Sequence, residues 1–177
     1  MSTPAPTIPE GLNLLPAANG IIIRQVWLTW KIAPLALFAI VWDGFLFFWY
    51  SQALSRPHPM LFTILFPIGH VAVGLGLTYY VIASLVNKTD ILISSASVRV
   101  ATGPAPWIGN KEVSVDEITD VVVRERSGNR GSTSYTVMYA DRSRQERKLV
   151  SFLSESDQAE FVAQTIRDSL GLNPKDA

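Results

Sequence analysis

Two long apolar stretches dominate the first half of the chain and limit what it can fold into. Residues 32–50 read IAPLALFAIVWDGFLFFWY, 19 residues with one charge; residues 60–86 form 27 residues with no formal charge when His70 is neutral. At about 1.5 Å per residue, a helix over the first nearly matches a hydrocarbon core of roughly 30 Å. The second is long enough to cross with tilt, and Pro67 lies where it would kink. Buried core helices of soluble proteins seldom sustain about 18 continuous apolar residues. Only the nine residues SQALSRPHP separate the stretches, which allows a helical hairpin and nothing larger.

Charge divides the chain the same way. Residues 1–86 carry only Glu10, Arg24, Lys31, Asp43 and Arg56; the other 25 charged side chains follow. The chain is therefore expected to hold an apolar hairpin within residues 27–86 and a soluble domain over 87–172. The segment 1–26 is read as a flexible tail with a β-hairpin candidate, and 173–177 as a short tail. Fifteen basic against fifteen acidic residues argue against a nucleic-acid partner. The absence of cysteine excludes disulfides, zinc–thiolate sites and a thiol nucleophile. The opening MSTPAPTIPEG has neither the basic nor the apolar region of a cleaved signal peptide.

A hairpin with a short connector places both chain ends on one side. Arg24, Lys31 and Lys88 flank that side and Arg56 alone the other, which predicts cytoplasmic termini in an inner membrane. Trp27, Trp30, Tyr79 and Tyr80 at one interface, and Trp49 and Tyr50 at the other, fit the same depth assignment.

Short apolar runs at 12–15 and 21–27 around Asn19-Gly20 make the hairpin candidate, with the possibility of an added strand on the later sheet. Beyond residue 87, strands are predicted over 90–94, 97–102, 111–115, 120–126, 135–140 and 146–153. Gly103-Pro104-Ala105-Pro106 must be a loop, because two prolines cannot donate to a ladder. Residues 156–170 show helical periodicity, with Ser154 and Asp157 as a capping-box pair and Gly171 then Pro174 as a stop. Strands followed by one amphipathic helix make an antiparallel α+β pattern: a small barrel or curved sheet closed by the helix.

The landmarks WDGFLFFWY (42–50), HVAVGLGLTYY (70–80), NKTDILI (87–93), GPAPWIGN (103–110) and VVVRE (121–125) resemble a family of uncharacterised bacterial membrane proteins. Its members have two spans followed by a pleckstrin-homology-like (PH-like) domain. The resemblance covers nearly everything after residue 20 and implies a fold and a membrane location, with no chemistry attached. Members more often carry Asn where this chain has Asp43, so a charge-based role for Asp43 would be particular to this protein.

Asp43 and His70 are the ionisable side chains well inside the apolar stretches. Measured from Ser55, they differ in depth by roughly 4–5 Å, within reach of an Asp–His hydrogen bond. Such a pair would serve as a proton relay or as an interhelical polar clip; alternatively a protonated Asp43 bonds a backbone carbonyl. Ala72 and Gly76 form a small-xxx-small pair on the second helix, facing either the first helix or a second copy of the chain. Arg124, Arg126 and Arg130, then Arg142, Arg144, Arg147 and Lys148, are candidates for contact with anionic head groups or a membrane-protein partner, or form a solvated face among Glu125, Asp141 and Glu146. Trp107 is placed in the domain core or at the domain–membrane seam, with a head-group or partner-groove position as the alternative.

No P-loop, GxGxxG, HExxH or GxSxG occurs, and His58 reads as a loop residue. An enzymatic role, a metal and a cofactor are therefore not expected. The sequence points to a bilayer-anchored binding or scaffolding module. Its rivals are a structural subunit of a membrane assembly and a small proton-coupled transport device built on Asp43 and His70.

Overall fold

The computed structural model describes residues 7–57, 61–127 and 133–172, apart from the side chain of Phe152. The expectations for His58, Arg130, Pro174 and the two tails beyond those bounds lie outside the described residues. The chain folds into two compact units. One combines residues 1–26 with 88–177, and the other is residues 27–87.

The first unit has an α+β layout. Its first sheet is an antiparallel meander of β1 (Leu12–Ala17), β2 (Gly20–Val26), β3 (Lys88–Ser94), β4 (Ser97–Gly103) and β5 (Lys111–Ser114). A second meander holds β6 (Asp120–Ser127), β7 (Thr133–Ala140) and β8 (Glu146–Leu153). The expected barrel or single curved sheet is thus two sheets, since β5 and β6 share no ladder. The sheets approach at another edge, where the Lys111 amino group donates to the Lys148 carbonyl. Helix α4 (Ser156–Leu170) packs on β3 and on all three strands of the second sheet.

Alternation explains the core. Ile91 and Ile93 on β3, Val98 and Val100 on β4, and Val113 on β5 point inward with Ile23 from β2. Val121, Val137 and Val150 meet them from the second sheet, and Val162 and Ile166 from α4. An irregularity between the Val137–Val150 and Met138–Lys148 pairs lets the consecutive Leu149 and Val150 both turn inward. Each of these side chains gains about 1.5–3 kcal/mol by leaving water.

The N-terminal hairpin belongs to this unit. β2 pairs with β3 from Gly20↔Ser94 to Val26↔Lys88, so the domain is built from two separated stretches rather than from 87–172 alone. The turn residues are Ala18-Asn19, one place earlier than Asn19-Gly20, because Gly20 already pairs with Ala17. Gly20 has φ +155°, and a Cβ there would lie 1.9 Å from the Ile93 carbonyl oxygen, so no side chain fits. Pro16 is tolerated because β1 is an edge strand. Arg24 and Asp90, directly opposite on β2 and β3, form a two-pronged ion pair with both contacts at 2.7 Å. The preceding segment is tied down as well: Gln158 Nε2 on α4 donates to the Glu10 carbonyl at 2.7 Å.

Register also sorts the loops by sheet end. Val26, Lys88 and Gly103 lie side by side, so the chain leaves β2, enters β3 and begins the 104–110 loop at one end of the first sheet. The Ser95-Ala96 turn and the β1–β2 turn lie at the other end.

The N-terminus of α4 has Glu155 as its cap residue with no side-chain cap bond, so the Ser154–Asp157 capping box does not form. Its C-terminus ends as expected. Gly171 is left-handed (φ 67°), and the Leu172 amide reaches back to the Arg167 carbonyl at 2.9 Å.

In the second unit a 3-10 turn (Trp30–Ile32) leads into α1 (Ala33–Leu54); α2 (Leu61–Leu65) and α3 (Ile68–Val86) follow. The spans Trp30–Leu54 and Leu61–Val86 are both long and apolar enough to cross a membrane. The second is interrupted at Phe66-Pro67, where the kink was expected.

Hydrogen exchange on the full chain in detergent should show amides 21–25 protected to an extent similar to 89–93. Gly20→Ala should erase that protection selectively and lower stability by at least about 1 kcal/mol. Rapid exchange throughout 21–25 in the unaltered protein would remove β2 from the sheet.

Candidate functional site

The polar groups of the helical pair gather along one seam. Ala39, Trp42, Asp43, Leu46, Tyr50 and Ala53 recur on α1 at the three- and four-residue steps of a heptad stripe, and Pro67, Val71, Gly74, Thr78 and Val81 recur likewise across α2–α3. Facing helices with this period pack closely along their length.

The Pro67 break defines the chemistry at one end of the seam. Pro67 has no N–H, so the Thr63 carbonyl, four residues earlier, loses its helical donor. The Trp49 indole N–H donates to that carbonyl at 3.3 Å, and the Tyr50 hydroxyl donates to the next one, Ile64, at 3.0 Å. A turn and a half further along, the Trp42 indole donates to the His70 carbonyl at 3.2 Å. In apolar surroundings a carbonyl left without a donor costs several kcal/mol, so the Trp49 ring supplies at Thr63 a bond that the helix lacks, whereas the His70 carbonyl lies inside α3 and gains a second donor. The WDGFLFFWY motif therefore carries two of its donors, Trp49 and Tyr50, where the opposite helix is broken.

Asp43 meets Thr78 and Gly74, not His70. The Thr78 hydroxyl donates to Asp43 Oδ2 at 2.5 Å, and a Cβ on Gly74 would stand 2.7 Å from Asp43 Oδ1 and 3.2 Å from the Trp42 ring. His70 stacks on Trp42 with ring centroids 5.7 Å apart and lies tilted against Phe66 at 5.9 Å. The expected Asp43–His70 bond fails for a geometric reason. α1 continues to Leu54, past the expected end at 50, and the Phe66-Pro67 break takes up part of the second stretch. The count from Ser55 already includes that extension; the residues consumed at the break displace the pairing, so the residues level with Asp43 fall a turn or two beyond His70.

Ala72 and Gly76 do not face α1. They sit two residues either side of Gly74, about 160° around the helix, and a Cβ on Gly76 would meet nothing within 4 Å. The close approach is made by Gly74, which the small-xxx-small spacing passed over.

In the β unit several of the basic side chains find local partners. Arg124 forms a two-pronged pair with Glu146, Arg147 Nε donates to Asp141 at 2.9 Å, and Arg142 Nε donates to the Asp116 carbonyl at 2.8 Å. Arg126, Arg144 and Lys148 are exposed. Arg126 lies opposite Ser134 at one end of the second sheet, whereas Arg142 and Arg144 occupy the turn after Ala140 at the other. About 23 Å of strand separates them, so they make no single basic patch. Lys111 is shifted below the ordinary lysine range, first by partial burial and then by the neighbouring Lys148 charge.

The Asp141 carboxylate organises the β7–β8 turn. It accepts the amides of Gln145 (3.0 Å) and Ser143 (2.8 Å) and faces Arg147, and these donors, Gln145 first, hold it below the usual carboxylate range. Arg144 adopts a left-handed conformation (φ 58°) within that turn.

Trp107 is half-buried on the 104–110 loop and stands outside the core cluster, so the core placement is not observed. Its neighbour Ile108 is 83% exposed. Among the described residues, no group of three or more His, Asp or Glu side chains could hold a metal ion. No known protein-family model matches the chain, and no curated protein matches it in sequence.

Thr78 and Gly74 were missed from sequence because neither is charged. The available signal was their four-residue spacing on the same stripe as Val71 and Val81. A double-mutant cycle on thermal stability in detergent should give Asp43→Leu and Thr78→Val a coupling of about 0.5–1.7 kcal/mol, and Asp43→Leu with His70→Leu a coupling near zero. Gly74→Leu should destabilise the pair by about 1–3 kcal/mol through overpacking. Equal coupling of Asp43 to both partners would contradict this seam.

A group whose folded pKa is depressed adds stability above its unfolded value and loses it as pH falls through the folded one. Acidification below the ordinary carboxylate range should therefore loosen the 141–145 turn. NMR should show the Gln145 amide and the Asp141 carboxyl titrating together, below about pH 3.9. Asp141→Asn should abolish that shared transition.

Proposed function

We propose that this protein is a bacterial inner-membrane protein in which a two-helix hairpin anchors a cytoplasmic PH-like module for binding or scaffolding. One observation carries the reading. The apolar hairpin interrupts a continuous β-ladder between β2 and β3, and its helices expose large side chains such as Phe47 (79%), Phe62 and Ile40 on their outer faces. In water each such side chain would forgo about 1.5–3 kcal/mol of burial, whereas lipid removes that cost. A core helix of a soluble domain would bury them.

The two antiparallel sheets of consecutive strands with a C-terminal helix support the PH-like reading suggested by the sequence resemblance. Both helical connections leave adjacent strands, so both β stretches belong to one side of the bilayer. Lys31 and Lys88, with Arg24 of the Arg24–Asp90 pair, outnumber Arg56 and favour the cytoplasmic side. Arg24 counts despite its partner, because acidic residues contribute little to orientation.

The geometry gives no support to a proton-coupled device. Asp43 bonds Thr78, and His70 stacks on aromatic rings. No catalytic role is proposed.

A reporter fused after Ala177 should be active only in a cytoplasmic form, and the chain should stay in the membrane fraction after alkaline carbonate extraction. Periplasmic activity would reverse the orientation. Release by carbonate would remove the anchor.

A further inference from the structure

His70 takes no part in the seam that joins the two helices. Its imidazole is exposed and lies against the rings of Trp42 and Phe66, and among the described residues nothing bonds its ring nitrogens. The Trp42 indole meets the His70 carbonyl, so the two residues share one level. Trp42 follows the start of α1 at Ala33 by nine residues and precedes its end at Leu54 by twelve. At about 1.5 Å per residue, that level is about 14 Å from one end of the helix and about 18 Å from the other. If the hairpin spans a bilayer, as proposed above, His70 faces lipid near the middle of the hydrocarbon, beyond the reach of its short side chain to either head-group layer.

An imidazole in that position is costly. Ionisable side chains within membrane spans almost always face protein or a water-filled cavity, because hydrocarbon offers neither donor nor acceptor. The other polar side chains of the hairpin at or near this level are engaged elsewhere: Thr78 with Asp43, and Trp49 and Tyr50 with the Thr63 and Ile64 carbonyls. His70 therefore marks the side of the hairpin that a further polypeptide covers. Ring contacts run across that side from Phe38 through Trp42 and His70 to Phe66.

Symmetry and imidazole chemistry identify the occupant. A neutral imidazole has one N–H donor and one nitrogen acceptor, so it is complementary to a second imidazole. Two copies of one chain inserted in the same orientation are related by an axis along the bilayer normal, which sets each residue level with its own counterpart. A different protein would have to bring a polar group to this depth, whereas a second copy does so by construction. His70 also lies only about 40° around α3 from Gly74, which faces α1, so it leans toward the midline of the hairpin. The axis of two hairpins packed face to face runs along that midline.

We propose that this aromatic side of the hairpin is the interface of a two-fold dimer in the membrane, in which the two His70 imidazoles hydrogen-bond across the axis. Phe38, Trp42 and Phe66 form the apolar surround. The small residues Ala72 and Gly76 lie about 120° or more around α3 from His70 and stand outside this interface.

The chain has no cysteine, so single-site labelling and cross-linking are clean. Full chains carrying a donor or an acceptor dye through Ser95→Cys would be mixed, reconstituted in phosphatidylcholine vesicles and diluted with lipid. Energy transfer should report a dimer. His70→Leu should raise the protein density at half-dissociation by about 3- to 20-fold, the worth of one interhelical hydrogen bond in a bilayer, and His70→Asn, which keeps a donor and an acceptor, should raise it less. Val73 and Leu75 are both exposed, at about 60° and 140° around α3 from His70. Thiol cross-linking should therefore join Val73→Cys chains and leave Leu75→Cys chains single. Chains that resist carbonate extraction yet show no energy transfer overturn the dimer and leave the anchor standing, whereas chains released by carbonate remove both. Transfer unaffected by His70→Leu, or cross-linking through Leu75→Cys rather than Val73→Cys, puts the contact on another side and overturns the proposal.

Discussion

The backbone ladder between β2 and β3 is the constraint on which the architecture depends. Seven consecutive residue pairs, from Gly20↔Ser94 to Val26↔Lys88, join strands that are 61 residues apart at their near ends. Closing so long a loop as random coil would cost conformational entropy that grows with the logarithm of its length. An antiparallel helical hairpin returns to its starting side and supplies the closure itself. The Arg24–Asp90 pair and the close approach at Gly20 then select one register, because a slip by a single residue would turn Ile23, Ile91 and Ile93 away from the core.

Within the hairpin, the same economy of backbone bonding governs which polar residues are present. Pro67 breaks the second helix and removes a donor from the Thr63 carbonyl, and the aromatic donors of α1 sit opposite. Trp49 and Tyr50 therefore serve the backbone of the opposite helix. Asp43 is accommodated by a hydroxyl from Thr78 and by the missing side chain of Gly74, which together leave room for a carboxylate between two packed helices. This accounts for a polar residue in an apolar stretch without invoking transport.

Electrostatics in the β unit works at short range. Arg124 is matched by Glu146, and Arg147 by Asp141. Pairs this exposed contribute little individually. Their evident effect is to hold the β7–β8 turn and the outer face of the second sheet.

The linear pattern of residues determined the elements. Apolar length defined the two helical spans, alternation and turn residues defined the strands from 88 to 153 to within a few positions, and helical periodicity with Gly171 defined α4. These are local signals, set by the period of side-chain direction along a strand or helix. Tertiary structure decided what the local pattern leaves open. It drew residues 12–26 into the sheet as β1 and β2, because the unpaired edge of β3 gives the Ile21–Ile23 run its backbone partners. It set Asp43 against Thr78 rather than His70, and turned Ala72 and Gly76 away from α1. Depth along a helix can be counted from a sequence, but the azimuth of a facing helix and the residues consumed by a break cannot. It also set Arg126 and the Arg142–Arg144 turn at opposite ends of one sheet, since distance along a strand decides whether charges act together.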